Sequence, residues 1–409
     1  MNPRIAITGM GSVSALGQGV EPTWEALIAG KGGVRHLSRQ FGGNPAYAYE
    51  GPAAFIDTLD TTRLEAKYGP RVLAHVDPFS AYASIATFEA VEQAGLLDHP
   101  ALGDRTVIVY GIGSGGNTTI EEGYGRLFDK KASSVHPLTI PKMMVSAAPS
   151  HLSMMLGVRG MAFAIASACA SSGHAISEGM HMLRAGRADV AIVGGGEAPI
   201  TYGGWLSWKA VKAMSSTACR PFSIGRDGMV LGEGAATLIL ERWEHAQARG
   251  AEILGELIGS GSSSDAFHIT QPQGEGAVTA IRAAHADSGV SVDTPVLVSS
   301  HGTGTEMNDK TEAQALNVVY GDKIKDNLVI ATKSAHGHLF GGAGAIEFLI
   351  GVLAIQRGLA PPVLNYLGPD PECDVPLVLG ETRAIDYQVL VSDSFAFGGL
   401  NSVLMAKRV

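Results

Sequence analysis

The stretch Ala162–Ile176, AFAIASACASSGHAI, constrains the fold of this chain more than any other. Its apolar run Phe163–Ala166, made of small residues, reads as a buried strand. The run stops at Cys169, after which Ile176, Met180 and Leu183 fall at helical spacing. A passage from buried strand to buried helix through a few small residues requires a tight turn, and Cys169 stands on it. The positive end of a helix dipole stabilises a thiolate, so a lowered thiol pKa is expected there. The small neighbours leave room for a substrate carbonyl to approach. Taken alone, Cys169 reads equally well as one more buried cysteine packing as a small hydrophobe.

Strand-like and helix-like runs alternate on both sides of this stretch. Arg4–Thr8 is an expected strand broken at Gly9-Met10-Gly11, and Ser80–Gly95 is helical in pattern. Thr106–Tyr110 is an apolar strand running into the glycine-rich turn Gly111–Gly116. Asp189–Val193 is another, ending in the triplet Gly194–Gly196, and Ala235–Leu240 is a third. The pattern then begins again: Pro295–Ser299 ends near His301, Leu328–Ala331 ends near Lys333, and Val389–Ser392 runs into FAFGG. Ala170–Arg184 and Gly344–Ile355 read as helices buried all round. Such alternation predicts an α/β protein of layered, duplicated architecture with helices sandwiched between sheets. The polar run EHAQARG, within Trp243–Gly250, marks the boundary between residues 1–245 and 246–409.

Composition narrows the function classes. A 409-residue chain with 45% apolar and 17% charged residues builds a large core. Its net charge of −9 argues against a general nucleic-acid binder. Leu339–Ile355 is short and interrupted by Glu347, so it reads as a buried helix rather than a membrane span. The opening MNPRIAITGMGSVSALG lacks the pattern of a secretory signal, and three cysteines make no disulfide framework. A soluble, cytoplasmic protein is expected. Gly9-x-Gly11 lacks the third glycine and the acidic ribose ligand of a dinucleotide site.

His301, in SSHGTGTEMND, and His336 and His338, in TKSAHGHLFGGAG, each follow a strand-like run and are flanked by Gly, Ser or Thr. Together with Cys169 and Lys333 they form a set able to activate a thiol and stabilise a thioester oxyanion. His336-x-His338 has no third ligand at a recognisable spacing, so no metal is expected.

In order and spacing, the Cys169 stretch, HGTGT, KSAHGHLFGGAG and SFAFGGLN resemble the β-ketoacyl-acyl carrier protein synthases of the thiolase-like superfamily, above all the elongating synthase I and II branch. The resemblance runs from ITGMGSVSALG through RPFSIGRDGMVLGEGA to LMAKR. It implies a thiolase-like αβαβα fold and condensation of an acyl chain with a malonyl unit on acyl carrier protein. By the same resemblance Cys169 is the acyl-accepting nucleophile. The backbone N–H groups of Cys169 and Phe397 form the oxyanion hole, and His301 and His338 face the malonyl thioester. Lys333 supports the histidines, and Glu347 is the buried acid that balances it. No cofactor is implied, and a homodimer is.

The sequence departs from this pattern at His336, where a small residue is usual, and at Met229, where phenylalanine is usual. Ala396 and Leu400 change the FGFGG turn, and Ser114 falls where residue size helps to set chain depth. Ser114, Met229, His336 and Phe397 are thus the expected substrate-pocket residues, with a chain-length or substrate preference that differs from housekeeping synthases. Acyl carrier protein is acidic, which gives a purpose to three basic groups: Arg63, Lys67 and Arg71; Arg126, Lys130 and Lys131; and Lys209 and Lys212. The readings that compete are a ketosynthase of a specialised polyene or polyketide pathway, a non-catalytic chain-length partner, and a thiolase. Cys169 speaks against the partner, and the lack of a second cysteine near FAFGGLN speaks against the thiolase.

Overall fold

The computed structural model describes residues 3–409. Ten strands carry the architecture, and their order repeats. The first half holds β1 (Ile5–Ser14), β2 (Thr106–Gly111), β3 (Ala162–Ile165), β4 (Val190–Glu197) and β5 (Gly234–Arg242). The second holds β6 (Gly255–Ser264), β7 (Leu297–Ser299), β8 (Leu328–Ile330), β9 (Val389–Ala396) and β10 (Leu400–Lys407). Across the sheet they run β3-β2-β4-β5-β1 and then β6-β10-β9-β7-β8. Read inward from its own outer edge, each half therefore has its third, second, fourth, fifth and first strand in turn. The outer three of each half are parallel, and the fifth turns antiparallel. The halves join where β1 pairs with β6 through Ile5↔Leu257, Ala6↔Glu256 and Ile7↔Gly255. The duplication lies in topology, where no residue-level repeat survives.

Seven helices matter for the site: α1 (Pro78–Gln93), α2 (Asn117–Phe128), α3 (Ser171–Arg184), α4 (Tyr202–Val211), α5 (Gly274–Ser288), α6 (Glu306–Tyr320) and α7 (Ala343–Arg357). Ile176, Met180 and Leu183 of α3 and Ile346, Leu349 and Leu353 of α7 share one core with residues of both half-sheets. Ala83, Ala86 and Ala90 of α1 pack on the outer face of the first half, and Ala280, Ile281 and Leu316 of α5 and α6 on the outer face of the second. The layering is helix, sheet, helix, sheet, helix. It follows from strands such as TVIVYG and VAIVGGGE, which are apolar on both faces and need a layer on each. From Ala343 to Ile355 every residue of α7 is buried, whereas α3 turns His181 to solvent.

Two expected strand ends fall elsewhere. β1 does not break at Gly9-Met10-Gly11 but continues to Ser14, and β4 runs through Gly194–Gly196 to Glu197. The glycines are there for close approach. A Cβ on Gly11 would lie 2.0 Å from the Ala86 carbonyl oxygen of α1, and one on Gly195 would lie 2.6 Å from Ser172 Cβ of α3. The polar boundary segment forms a short helix, Trp243–Ala248, between β5 and β6.

Candidate active site

The chain leaves β3 at Ile165 and makes a single 3-10 turn, Ala168–Ala170, before α3 begins. Ala168 sits at φ +50°, a conformation that L residues adopt at a cost. Ser171 holds it there: its hydroxyl donates to Ala168 O at 2.6 Å and accepts the Ser167 N–H at 2.9 Å. The turn presents Cys169 ahead of the helix N-terminus, as the sequence predicts. β7 delivers His301, β8 delivers Lys333, the segment before α7 delivers His338, and the β9–β10 turn delivers Phe397. Because the two half-sheets face each other across α3 and α7, these strand ends meet. The sulfur and one nitrogen from each of His301 and His338 lie within 4.8 Å of one another.

Each imidazole has a fixed orientation. His338 Nδ1 accepts the Phe340 N–H at 3.1 Å, so its proton is on Nε2, which lies 3.1 Å from Cys169 Sγ. His301 Nδ1 lies 3.2 Å from Lys333 Nζ, a group that only donates, so His301 also carries its proton on Nε2. Lys333 further donates to His301 O at 2.5 Å and pairs with Glu347 Oε1 at 2.5 Å, both side chains being buried. Burial, and then the Lys333 charge, holds both histidines well below their ordinary pKa, so both are neutral. A thiol and two imidazoles form a donor set that zinc also accepts. Here a metal on the Nε2 atoms would force protons onto Nδ1 positions already facing donors.

Burial pushes the Cys169 thiol up to about 11, against the opposing pull of Lys333 and of the Phe397 and Cys169 N–H groups that face the sulfur. This reverses the lowered pKa expected from the helix end. Desolvation of the anion in a nearly closed site outweighs the partial charge of a helix terminus.

Cys169 lies at the junction of two cavities. One, of about 660 Å³, is lined by Gly113, Ser114, Ile120, Tyr202 and Trp208. The other, of about 520 Å³, is lined by His301, His338, Met229, Thr303, Thr305 and Gln273. Trp208 and Phe397 line both, their rings 5.9 Å apart. Ser114, Met229 and Phe397, expected in the substrate pocket, line these cavities. His336 does not: it is fully buried and lines neither cavity among the described residues. Its ring nitrogens contact Thr332 Oγ1 at 2.9 Å and Gly337 O at 2.7 Å, and burial holds it down near 3. It is a neutral, structural histidine. Ala396 closes β9 as an ordinary paired strand residue, and the positive φ values fall on Gly398 and Gly399.

The basic groups separate. Lys212 lines the mouth of the histidine cavity, with Lys209 exposed one turn before it. Arg63 and Lys67 are tied to Glu92 and Asp98, while Arg71 is exposed. Arg126 and Lys130 line a separate cavity beside Arg39, and Lys131 is exposed.

Two acids escape a reading from sequence. Glu312 accepts the N–H groups of His301 at 2.6 Å and Gly302 at 2.8 Å, and burial raises it to about 8. Glu197 accepts those of Gly113, Ser114, Gly115 and Gly341, so it ties the wall of the first cavity to the loop that carries His338. The available signal was the spacing of Asp309 and Glu312, one helical turn apart on α6.

A cysteine ahead of a helix, facing two neutral imidazoles across a duplicated layered fold, defines a thiolase-like condensing enzyme. Residues 2–246 match the family described as "Beta-ketoacyl synthase, N-terminal domain", and residues 254–367 match its C-terminal domain. The chain belongs to the β-ketoacyl synthase family. It is 38% identical over all of both chains to "Nodulation protein E" of Rhizobium meliloti (strain 1021). It is 36% identical to "3-oxoacyl-[acyl-carrier-protein] synthase 2" of Staphylococcus aureus (strain COL), over 100% of this chain and 99% of that one. Among solved structures, "The ishigamide ketosynthase/chain length factor" superimposes with a TM-score of 0.92 at 31% identity, covering both chains in full. The protein is accordingly a ketosynthase, an acyltransferase-type condensing enzyme.

Proposed function

We propose that this enzyme elongates acyl chains held on acyl carrier protein, in fatty acid biosynthesis or in a specialised pathway of the polyene or polyketide kind. The observation that carries the reading is Cys169 Sγ at the meeting point of two cavities, 3.1 Å from a proton-bearing His338 Nε2. The acyl group moves from a carrier thioester to Cys169 and its tail enters the cavity lined by Ser114. The Cys169 proton ends on the departing carrier thiol. Malonyl thioester then occupies the polar histidine cavity, where Thr303, Thr305 and Gln273 suit an amide-bearing carrier arm. Its carboxylate leaves as CO2, and the electron pair becomes an enolate whose oxygen accepts from the Nε2–H groups of His301 and His338. The enolate carbon attacks the Cys169 thioester. The tetrahedral oxygen accepts from the N–H groups of Cys169 and Phe397, and collapse expels the Cys169 sulfur as a thiolate, which takes a proton from water to restore the thiol, and leaves a 3-oxoacyl carrier protein.

The exposed, basic rim at Lys209 and Lys212 supports docking of an acidic carrier against the −9 net charge of the chain. β3 supports homodimerisation: it is the outermost strand, half-exposed, and flanked by Met161 and by Met154, which is 75% exposed. Three free, buried cysteines support a cytoplasmic, reducing compartment.

The test is incubation with acyl carrier protein thioester, followed by malonyl carrier protein. The expected result is an acyl adduct on Cys169 by mass spectrometry and then a 3-oxo product. Cys169→Ala should abolish condensation while malonyl decarboxylation continues, and His301→Ala and His338→Ala should impair that decarboxylation. Absence of both adduct and product would leave the chain as a non-catalytic partner.

A further inference from the structure

Aromatic rings dominate the cavity that receives the acyl tail. Only 6% of the chain is aromatic. Yet this wall carries Trp208, Phe340 and Phe397 beside the sulfur and Tyr202, Tyr47 and Phe41 farther out, with Tyr124 and Phe128 at its open side. Among the described residues, Ile120 is the single Leu, Ile, Val or Met in the lining. The rings pack in two main groups, one beside the sulfur and one around Tyr47. Phe340 stacks on Trp208 at 4.6 Å and 29°, and Tyr202 lies 5.3 Å from Tyr47, which lies 6.2 Å from Phe41. Polar groups interrupt what is left: Glu121 takes the Tyr202 and Gly203 N–H groups at 2.9 and 2.6 Å, and Tyr47 donates to Asp129 at 3.0 Å.

A saturated chain gains most from a wall of flexible aliphatic side chains and loses torsional freedom at each methylene when it is confined. A conjugated chain is flat and stiff, loses little on entering a fixed slot, and offers a π-face to offset or edge-on rings. We infer that the acyl cavity of this enzyme selects planar, conjugated acyl chains, polyenoyl or aryl-bearing, over saturated chains of the same length. The inference rests on the condensing-enzyme reading and specifies its substrate class. The transfer itself is unchanged: the carrier thioester C–S bond breaks, the Cys169 C–S bond forms, and the proton passes from one thiol to the other.

The experiment offers the full-length enzyme equimolar 2,4-hexadienoyl and hexanoyl carrier protein and counts the two Cys169 adducts by peptide mass spectrometry. Cinnamoyl against 3-phenylpropanoyl carrier protein serves as a second pair. Conjugation makes a thioester carbonyl less electrophilic, so intrinsic reactivity works against the expected result. That result is an excess of the conjugated adduct of about tenfold, which is about 1.4 kcal/mol. Trp208→Leu and Tyr202→Leu should each reduce the excess to about twofold or less. Equal loading, or a preference for the saturated chains, overturns the inference and leaves the condensing activity standing. Loading of neither member of either pair, with Cys169 still open to iodoacetamide, overturns the underlying reading and this inference with it.

Discussion

Lys333 and Glu347 allow stability and chemistry to be pulled apart. Lys333→Met leaves the Glu347 carboxylate fully buried with no cation against it. Breaking a buried pair from one side costs about 3–5 kcal/mol, and the carboxyl, which burial already raises to about 7, will hold its proton more tightly still. With a urea slope of about 3 kcal/mol per molar, the unfolding midpoint falls by about 1–2 M. The double variant Lys333→Met/Glu347→Leu removes both charges from the core and should recover that stability to within about 1 kcal/mol. Activity should not return with it. His301 Nδ1 has lost the ammonium that faces it at 3.2 Å, so its proton is free to move to Nδ1 and leave Nε2 bare toward the enolate. Malonyl decarboxylation, followed as released CO2, should stay on the order of 10²–10³-fold down, the loss expected when one oxyanion donor is removed. A double variant that is stable and decarboxylates at the wild-type rate would falsify the role given to Lys333 and reduce it to a counter-ion.

Three further outcomes are expected. Because burial lifts the Cys169 thiol to about 11, iodoacetamide alkylation of that residue should accelerate with each pH step from 7 to 10; a plateau below pH 7 would mean an ionised thiolate and refute the desolvation argument. Gly399→Ala places a Cβ 2.5 Å from Asp265 Cβ at a φ of +69°, so the turn carrying Phe397 must shift. The strain, about 1–3 kcal/mol, should appear as slower acyl transfer to Cys169, and unchanged transfer kinetics would show that the turn tolerates displacement. Ala164→Pro removes a backbone donor from the outermost strand and should yield monomers in analytical ultracentrifugation, whereas a persistent dimer would place the interface elsewhere.

Residue pattern carried much of the site. Cys169, His301, Lys333 and His338 were each visible as polar residues at the end of an apolar strand, and the order of their motifs was enough to suggest the family. What pattern misjudged was glycine and desolvation. Gly9, Gly11 and Gly194–Gly196 looked like strand ends, but they are points of close approach: Gly9 and Gly11 meet Ala90 and Ala86 of α1, Gly195 meets Ser172 of α3, and Gly194 and Gly196 meet Ala236 and Ala235 of β5, all residues far away in sequence. His336 was expected in the substrate pocket, yet it is fully buried, with Thr332 and the Gly337 carbonyl against its nitrogens.

Local sequence by itself determined the strand-turn-helix at Cys169, the alternation of strands with helices and the chemical identity of the reacting groups. Those features depend on neighbours within a few residues and on period. Only the tertiary structure decided which nitrogen of each histidine bears the proton, that the thiol is raised rather than lowered, and that aromatic rings line the cavity beside Cys169. Each of these is set by groups brought together across the two halves, and by the exclusion of water that their packing imposes.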